Sequence, residues 1–182
     1  MKYLLVGEET ERLKFRLLRE SDFDSWLPLF QDKNAALFLG FDVHLSPEKH
    51  CNKWFEKVFF RYKNDLGGMN VLIDKNSGRL IGQCGLLVQM VEGIERLEIG
   101  YSVLPEFWRK GYASEAAIKC RDYAFQNNFA QSLISIIHVD NSASEKVALK
   151  NGMGLEKTLD NYKGVPAKIF RINRQEWLRE NR

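Results

Sequence analysis

Much of what would classify this chain at a glance is missing from it. No stretch approaches the roughly 18 consecutive apolar residues of a membrane-spanning helix, so no membrane partner is expected. The opening MKYLLVGEETERLKF holds only a short apolar run before its acidic residues and does not read as a secretory signal. Cysteine is sparse and odd in number: the 3 residues Cys51, Cys84 and Cys120 stand far apart, with no C-x-x-C and no histidine at zinc spacing. They read as reduced, mostly buried thiols of a cytoplasmic protein with no metal centre. An excess of one charge is lacking too. The formal net charge is +3 and basic residues alternate with acidic ones, which speaks against nucleic acid as a partner. Neither G-x-x-x-x-G-K-[ST] nor G-x-G-x-x-G occurs, and the chain has no internal repeat or low-complexity linker.

What is present is an ordinary globular composition, 45% hydrophobic and 28% charged over 182 residues. It predicts one domain over 1–182, with its core at about 12–178, able to bury about 70% of the unfolded surface. Arg12 to Leu18 alternates basic and apolar residues as a half-buried strand does. Ser21-Asp22 offers an N-cap for a helix carrying Phe23, Trp26, Leu27 and Phe30, which Pro28 must shorten, kink or delay. Lys33 to Leu45 reads as a short helix plus loop. Ser46-Pro47-Glu48 starts a longer helix whose aromatic stripe, Cys51, Trp54, Phe55, Val58, Phe59 and Tyr62, reads as core.

Strands follow at Met69 to Asp74, Arg79 to Val91 and Ile94 to Val103, joined by the turns Lys75 to Gly78 and Glu92-Gly93, hence antiparallel. The glycines of Ile81-Gly82-Gln83-Cys84-Gly85 mark a bulge or a close approach of backbone. A helix from Gly111 ends near Asn127-Asn128, and the β-branched run Ser132 to Val139 makes a central strand. Ser142 and Glu145 are spaced as a capping box for a helix that Gly152 stops. Leu155 to Leu159 and Pro166 to Asn173 close a hairpin across Lys163-Gly164, and Trp177 packs a terminal turn onto the sheet. The sum is an α+β domain.

Chemistry concentrates in Leu97 to Ala117, LEIGYSVLPEFWRKGYASEAA. An apolar strand breaks at Pro105, passes bulky and basic residues, and enters a helix through Gly111-Tyr112-Ala113-Ser114. A helix start reached through small residues presents unpaired N–H groups and the positive end of the helix dipole, which suit a pyrophosphate. Gly111 has no Cβ to hold an anion away, Ser114 can cap or donate its hydroxyl, and Arg109 and Lys110 add positive charge.

The run Glu98-Ile99-Gly100-Tyr101, Pro105 and Trp108-Arg109-Lys110-Gly111-Tyr112-Ala113-Ser114-Glu115-Ala116 resembles the acetyl-CoA signature of the GNAT N-acetyltransferase superfamily, in its RimJ/RimL-type branch. Trp108 replaces the superfamily's Gln or Arg, a departure usual in that branch. A second signature is matched by Asn141, Ser144, Val147-Ala148 and Lys150-Asn151-Gly152-Met153. The resemblance implies the GNAT fold: α/β/α layers around a mixed, mostly antiparallel sheet of six or seven strands. In that fold the fourth and fifth strands run parallel and splay apart, and the pantetheine arm pairs with backbone near Val103 and Leu104.

The implied activity is transfer of acetyl from acetyl-CoA, a co-substrate, to a primary amine by direct attack, with no metal. By the same resemblance Val103, Leu104, Trp108, Arg109, Lys110, Gly111, Tyr112, Ala113 and Ser114 touch the coenzyme. Asn141 holds the pantetheine side or is a plain helix cap, and Ser144 protonates the thiolate or is a plain helix serine. The family's usual tyrosine acid falls on Ala148 here, which keeps open a silent acyl-CoA-binding module of the same fold; Tyr162 is a nearby alternative acid. Glu98, on the opposite side of its strand from Leu97 and Ile99, is the candidate general base, with His138 behind it. The acceptor, a protein N-terminus or a small amine, would meet Asp42, His44, Asp160 and Tyr162. A homodimer is compatible with the sequence, which carries no signature of one.

Overall fold

In the computed structural model the structure describes residues 2–180. Among the described residues seven strands form one sheet in the order β1-β2-β3-β4-β5-β7-β6. They are β1 (Leu13–Arg16), β2 (Gly67–Asp74), β3 (Leu80–Val91), β4 (Ile94–Val103), β5 (Ser132–His138), β6 (Gly154–Tyr162) and β7 (Val165–Asn173). All neighbours are antiparallel except β4 and β5. The helices are α1 (Phe23–Trp26), α2 (Pro28–Gln31), α3 (Lys33–Phe38), α4 (Pro47–Lys63), α5 (Tyr112–Gln126), α6 (Ser142–Lys150) and α7 (Arg174–Glu180).

Consecutive strand residues point to opposite faces, and Gln83 and Cys84 show which helix covers which. Gln83 Oε1 accepts from Trp54 Nε1 of α4 at 3.1 Å, whereas Cys84 Sγ lies 3.5 Å from Cys120 Sγ of α5. The sheet is therefore sandwiched, with α4 on one face and α5 on the other. Both faces are covered, so β3 is buried along most of its length rather than alternating, and β4 is buried at Leu97–Ile99 and at Val103. All three cysteines are free and buried, and burial pushes the Cys51 thiol up to about 12. In the glycine-rich part of β3, a Cβ on Gly85 would stand 2.0 Å from the Gly68 carbonyl oxygen, so only glycine lets β2 and β3 approach there.

Several local expectations are corrected. Asp22 holds the N-cap position of α1 but makes no side-chain cap there; both of its oxygens grip the Arg16 guanidinium at 2.7 Å, and Pro28 takes the first position of a second short helix. The cap of α6 is Asn141, whose Oδ1 accepts from Ser144 N at 3.1 Å, because Glu145 turns away to pair with Lys168 at 2.8 Å. Trp177 is buried in the core and reaches α5: its Nε1 donates to Asp122 Oδ1 at 2.8 Å, and its ring lies 5.5 Å from that of Phe125. The turn Lys163-Gly164 and the helix end at Asn128 adopt the left-handed backbone their residues favour.

Candidate active site

The parallel ladder between β4 and β5 holds only two pairs, Leu97↔Leu133 and Glu98↔Ile134, before the strands part. Just above the fork, Ser135 Oγ donates to the Ile99 carbonyl at 2.8 Å. Further up, Trp108 Nε1 donates to the Val103 carbonyl at 2.6 Å, and Leu104 N–H donates to Ile81 O at 2.9 Å. Both groups expected to pair with a pantetheine arm near Val103 and Leu104 thus have partners already. Ile99 and Val103 turn their carbonyls away from β3, so by the alternation of a strand the Tyr101 N–H and C=O also point into the gap. A linear chain with amide groups can add to β4 there as an extra strand. The Tyr101 phenol crosses to α6 and donates to the Ser144 carbonyl at 2.7 Å, joining β4 to the helix that Asn141 caps.

At the top of the gap, α5 starts from Gly111, whose φ of 82° is left-handed and fits glycine best. The first helical bond runs from Glu115 N to Gly111 O at 3.0 Å, so the N–H groups of Tyr112, Ala113 and Ser114 have no helical partner and form an anion cradle. Ser114 sits in the first turn and does not cap; Gly111 holds the cap position, with no side-chain cap. Arg109, at φ 60°, and Lys110 are exposed beside the cradle, and neither forms an ion pair among the described residues. The cradle fits the pyrophosphate of a coenzyme.

What the sequence did not reveal is the tether that shapes this loop. The Glu115 carboxylate accepts from Thr10 Oγ1 at 2.5 Å, Arg12 N at 3.0 Å and Arg12 Nε at 2.6 Å. Arg12 Nη1 donates to the Lys110 carbonyl at 3.0 Å, and the guanidinium stacks 4.3 Å from the Tyr112 ring centroid. Burial raises the Glu115 pKa, but the bonds from Thr10 and Arg12 outweigh it and hold the carboxyl below its ordinary 4.5. This stability is present above pH 4.5 and lost as the pH falls through the depressed value. Glu115→Gln is expected to cost about 1–2 kcal/mol and about 2–8 °C in Tm at pH 7, with the deficit vanishing at low pH. A pH series of thermal melts checks it; an equal deficit at every pH would assign the loss to packing.

At the fork, Glu98 is 9% exposed and lies on the α4 face of the sheet. Its Oε2 accepts from Gln89 Nε2 at 2.6 Å, and its Oε1 accepts a long bond of 3.4 Å from Ile136 N. Burial pushes its pKa up; the bonds from Gln89 and Ile136 and the charges of Lys57 and Arg61 offset this only in part. His138, on the same face of β5, is buried against Phe38, and its Nδ1 accepts from Asp140 N at 3.2 Å, a structural role. The hairpin between β6 and β7 brings Tyr162 over the site, its hydroxyl 3.5 Å from Gln89 Oε1, with burial raising its pKa to about 12. Asp42, His44 and Asp160 are exposed. Ala148 is fully buried.

The structure thus joins a sheet forked between two parallel strands, a helix start whose first N–H groups lack helical partners at the open end, and a buried carboxylate at the vertex. The comparisons place the fold. The model of the acetyltransferase (GNAT) domain family matches residues 12–154. An uncharacterised protein of Bacillus subtilis strain 168, YkkB, is 32% identical over 154 residues, 82% of this chain and 86% of its own. An acetyltransferase of Agrobacterium tumefaciens C58 shares the fold with a TM-score of 0.74 at 23% identity, covering 91% of this chain and 93% of its own. The spermidine N-acetyltransferase of Vibrio cholerae, solved with CoA and spermine, has a TM-score of 0.71 at 18% identity, covering 93% and 99%. The chain belongs to the GNAT acetyltransferase family, and its structural neighbours include RimL, a ribosomal L7/L12 alpha-N-protein acetyltransferase.

Proposed function

We propose that this protein moves an acetyl group from acetyl-CoA to a primary amine by direct attack in a ternary complex. The observation that carries this reading is the fork itself, with Glu98 buried at its vertex beneath unpaired backbone. The coenzyme supplies an acetyl thioester; the residues hold it and manage protons. Tyr112, Ala113 and Ser114 N–H groups, with Arg109 and Lys110, bind the pyrophosphate, and Tyr101 backbone groups align the arm. Glu98 takes the ammonium proton, directly or through one water, and frees the nitrogen lone pair. As the C–N bond forms and the C–S bond breaks, Ser144 Oγ gives its proton to the leaving sulfur and is reprotonated by the second proton of the nitrogen, so the amide, the free thiol and protonated Glu98 result. Free, buried thiols suit a cytosolic setting.

The competing reading is a coenzyme-binding module without turnover, and the buried Ala148 in place of the family's tyrosine favours it. Thiol release separates the two. With acetyl-CoA and a panel of amines, free thiol is expected to appear only when an acceptor is present. Ser144→Ala is expected to lower kcat by about 10-fold or more while acetyl-CoA affinity holds. Thiol release with no amine in the panel, despite tight coenzyme binding, would favour the silent module.

A further inference from the structure

The face of the sheet that carries Glu98 has an unusual charge balance. Most buried or half-buried cations of this protein are paired: Arg16 with Asp22, Arg96 with Glu156, Lys168 with Glu145. Around Glu98 they are not. Arg61 is 7% exposed, and its Nη2 donates only to carbonyls, Leu66 O at 3.0 Å and Val88 O at 2.5 Å. Its Nε is buried with no hydrogen-bond partner. Lys57, one helical turn before Arg61 on α4, and Lys163, at the tip of the β6–β7 hairpin, are exposed, and Lys57 feels the charges of both Glu98 and Lys163. Lys163 Nζ reaches Gln89 Oε1 at 3.0 Å, the same Gln89 that donates to Glu98. None of Lys57, Arg61 and Lys163 forms an ion pair among the described residues.

The other elements do not restore the balance. Arg96, lower on the same face, is held by Glu156 at 2.7 Å. Asp160 and Asp42 face solvent, and Asp42 Oδ1 is spent on His44 N at 3.0 Å. His138 contributes a buried ring set against Phe38. Gly40, after α3, comes near Val165 of the hairpin, a Cβ on Gly40 standing 3.9 Å from Val165 Cγ2.

An ammonium with a neutral tail would meet one carboxylate and three cations, and a polyamine would bring further positive charge against them. A molecule that carries its own anion would satisfy both signs. We propose that the acceptor is an amine with a carboxylate a few bonds from its nitrogen, the carboxylate held between Lys57 and Lys163 while the ammonium faces Glu98. The proposal rests on the acetyl-transfer reading and names the substrate class. Such a carboxylate belongs either to a free amino acid or to an acidic side chain at a peptide N-terminus.

The test compares free amino acids with their own primary amides, peptides that begin with acidic residues with their amidated counterparts, and spermidine. Thiol release is measured on the full chain, with kcat/KM expressed per free amine, and calorimetric binding to the CoA-loaded protein gives the same comparison without turnover. The carboxylate member of one pair is expected to be preferred by about 10-fold or more, with spermidine poor. Lys57→Gln combined with Lys163→Gln, both at exposed positions, should bring the acid-to-amide ratio within the variant close to one; the ratio is the readout because both lysines also act on Glu98 or its partner Gln89. Amides equal to acids, spermidine preferred, or neither member binding would overturn the proposal. Acetyl-CoA protection against heat, read on the same samples, keeps the two failures apart: its absence would sink acetyl transfer itself.

Discussion

Glu98→Gln is expected to lower kcat/KM for amine acetylation by about 100-fold or more at pH 7, with acetyl-CoA affinity unchanged. Glutamine keeps the size of the side chain but cannot accept a proton. The pH dependence should be equally distinctive. Burial places the Glu98 pKa above its ordinary 4.5, so the wild-type rate should fall with decreasing pH well before a solvent-exposed glutamate would titrate. That limb should be missing in the variant's residual activity.

Stability should move the other way. A carboxyl whose folded pKa is raised contributes most below pH 4.5, and that contribution is lost as the pH rises through 4.5 to the folded value. At pH 7 the wild type therefore carries the cost of a buried charge, and Glu98→Gln should have a Tm no lower than wild type. Activity lost without stability lost identifies a group kept for chemistry. A variant that is slow and also unfolds several degrees earlier would assign Glu98 to structure.

The second large effect is expected at Gly111. A Cβ there would meet nothing closer than Arg12 Nη2 at 3.5 Å, an ordinary contact, so size alone excludes little. Two other terms decide. Any L-residue at φ 82° costs about 1 kcal/mol, and a carboxylate would place negative charge against the N–H groups that bind phosphate. Gly111→Ala should lose about 2–4 °C in Tm and keep most of its coenzyme affinity. Gly111→Asp should weaken acetyl-CoA binding by about 100-fold or more, and its carboxylate would also compete with Glu115 for Arg12. Equal affinity in Ala and Asp variants would remove the anion cradle from the account.

Local chemistry carried most of the fold in the sequence. The α5 helix from Gly111, the Lys163-Gly164 turn and the left-handed Asn128 follow from residue types a few positions apart, and the structure keeps all of them. The misreadings share one cause, a partner far along the chain. Ser142 and Glu145 have capping-box spacing, but Lys168 draws Glu145 away. Nothing local to Trp177 points to Asp122, the acceptor it finds on α5, 55 positions earlier.

The site divides in the same way. The helix start at Gly111 with its free N–H groups follows from local residue types, whereas Arg12 and Glu115, 103 residues apart, meet only in the folded chain. The stripe on α4 was rightly read as core at Trp54 and Phe55, yet its edge carries Lys57 and Arg61 to Glu98, and no spacing rule predicts which strand a helix edge will face. Trp108 is a further case. Its place in the motif was visible, but its work, closing the Val103 carbonyl, depends on the backbone path between them.

Thermal unfolding in rising acetyl-CoA tests the central claim most directly. At about 100 times Kd, ligand linkage contributes about 2.7 kcal/mol, which for a chain of this size corresponds to a rise of roughly 5–10 °C in Tm. Wild type should show that rise and Gly111→Asp should lose it. No shift in wild type at millimolar acetyl-CoA would contradict the account and leave the fork between β4 and β5 without its ligand.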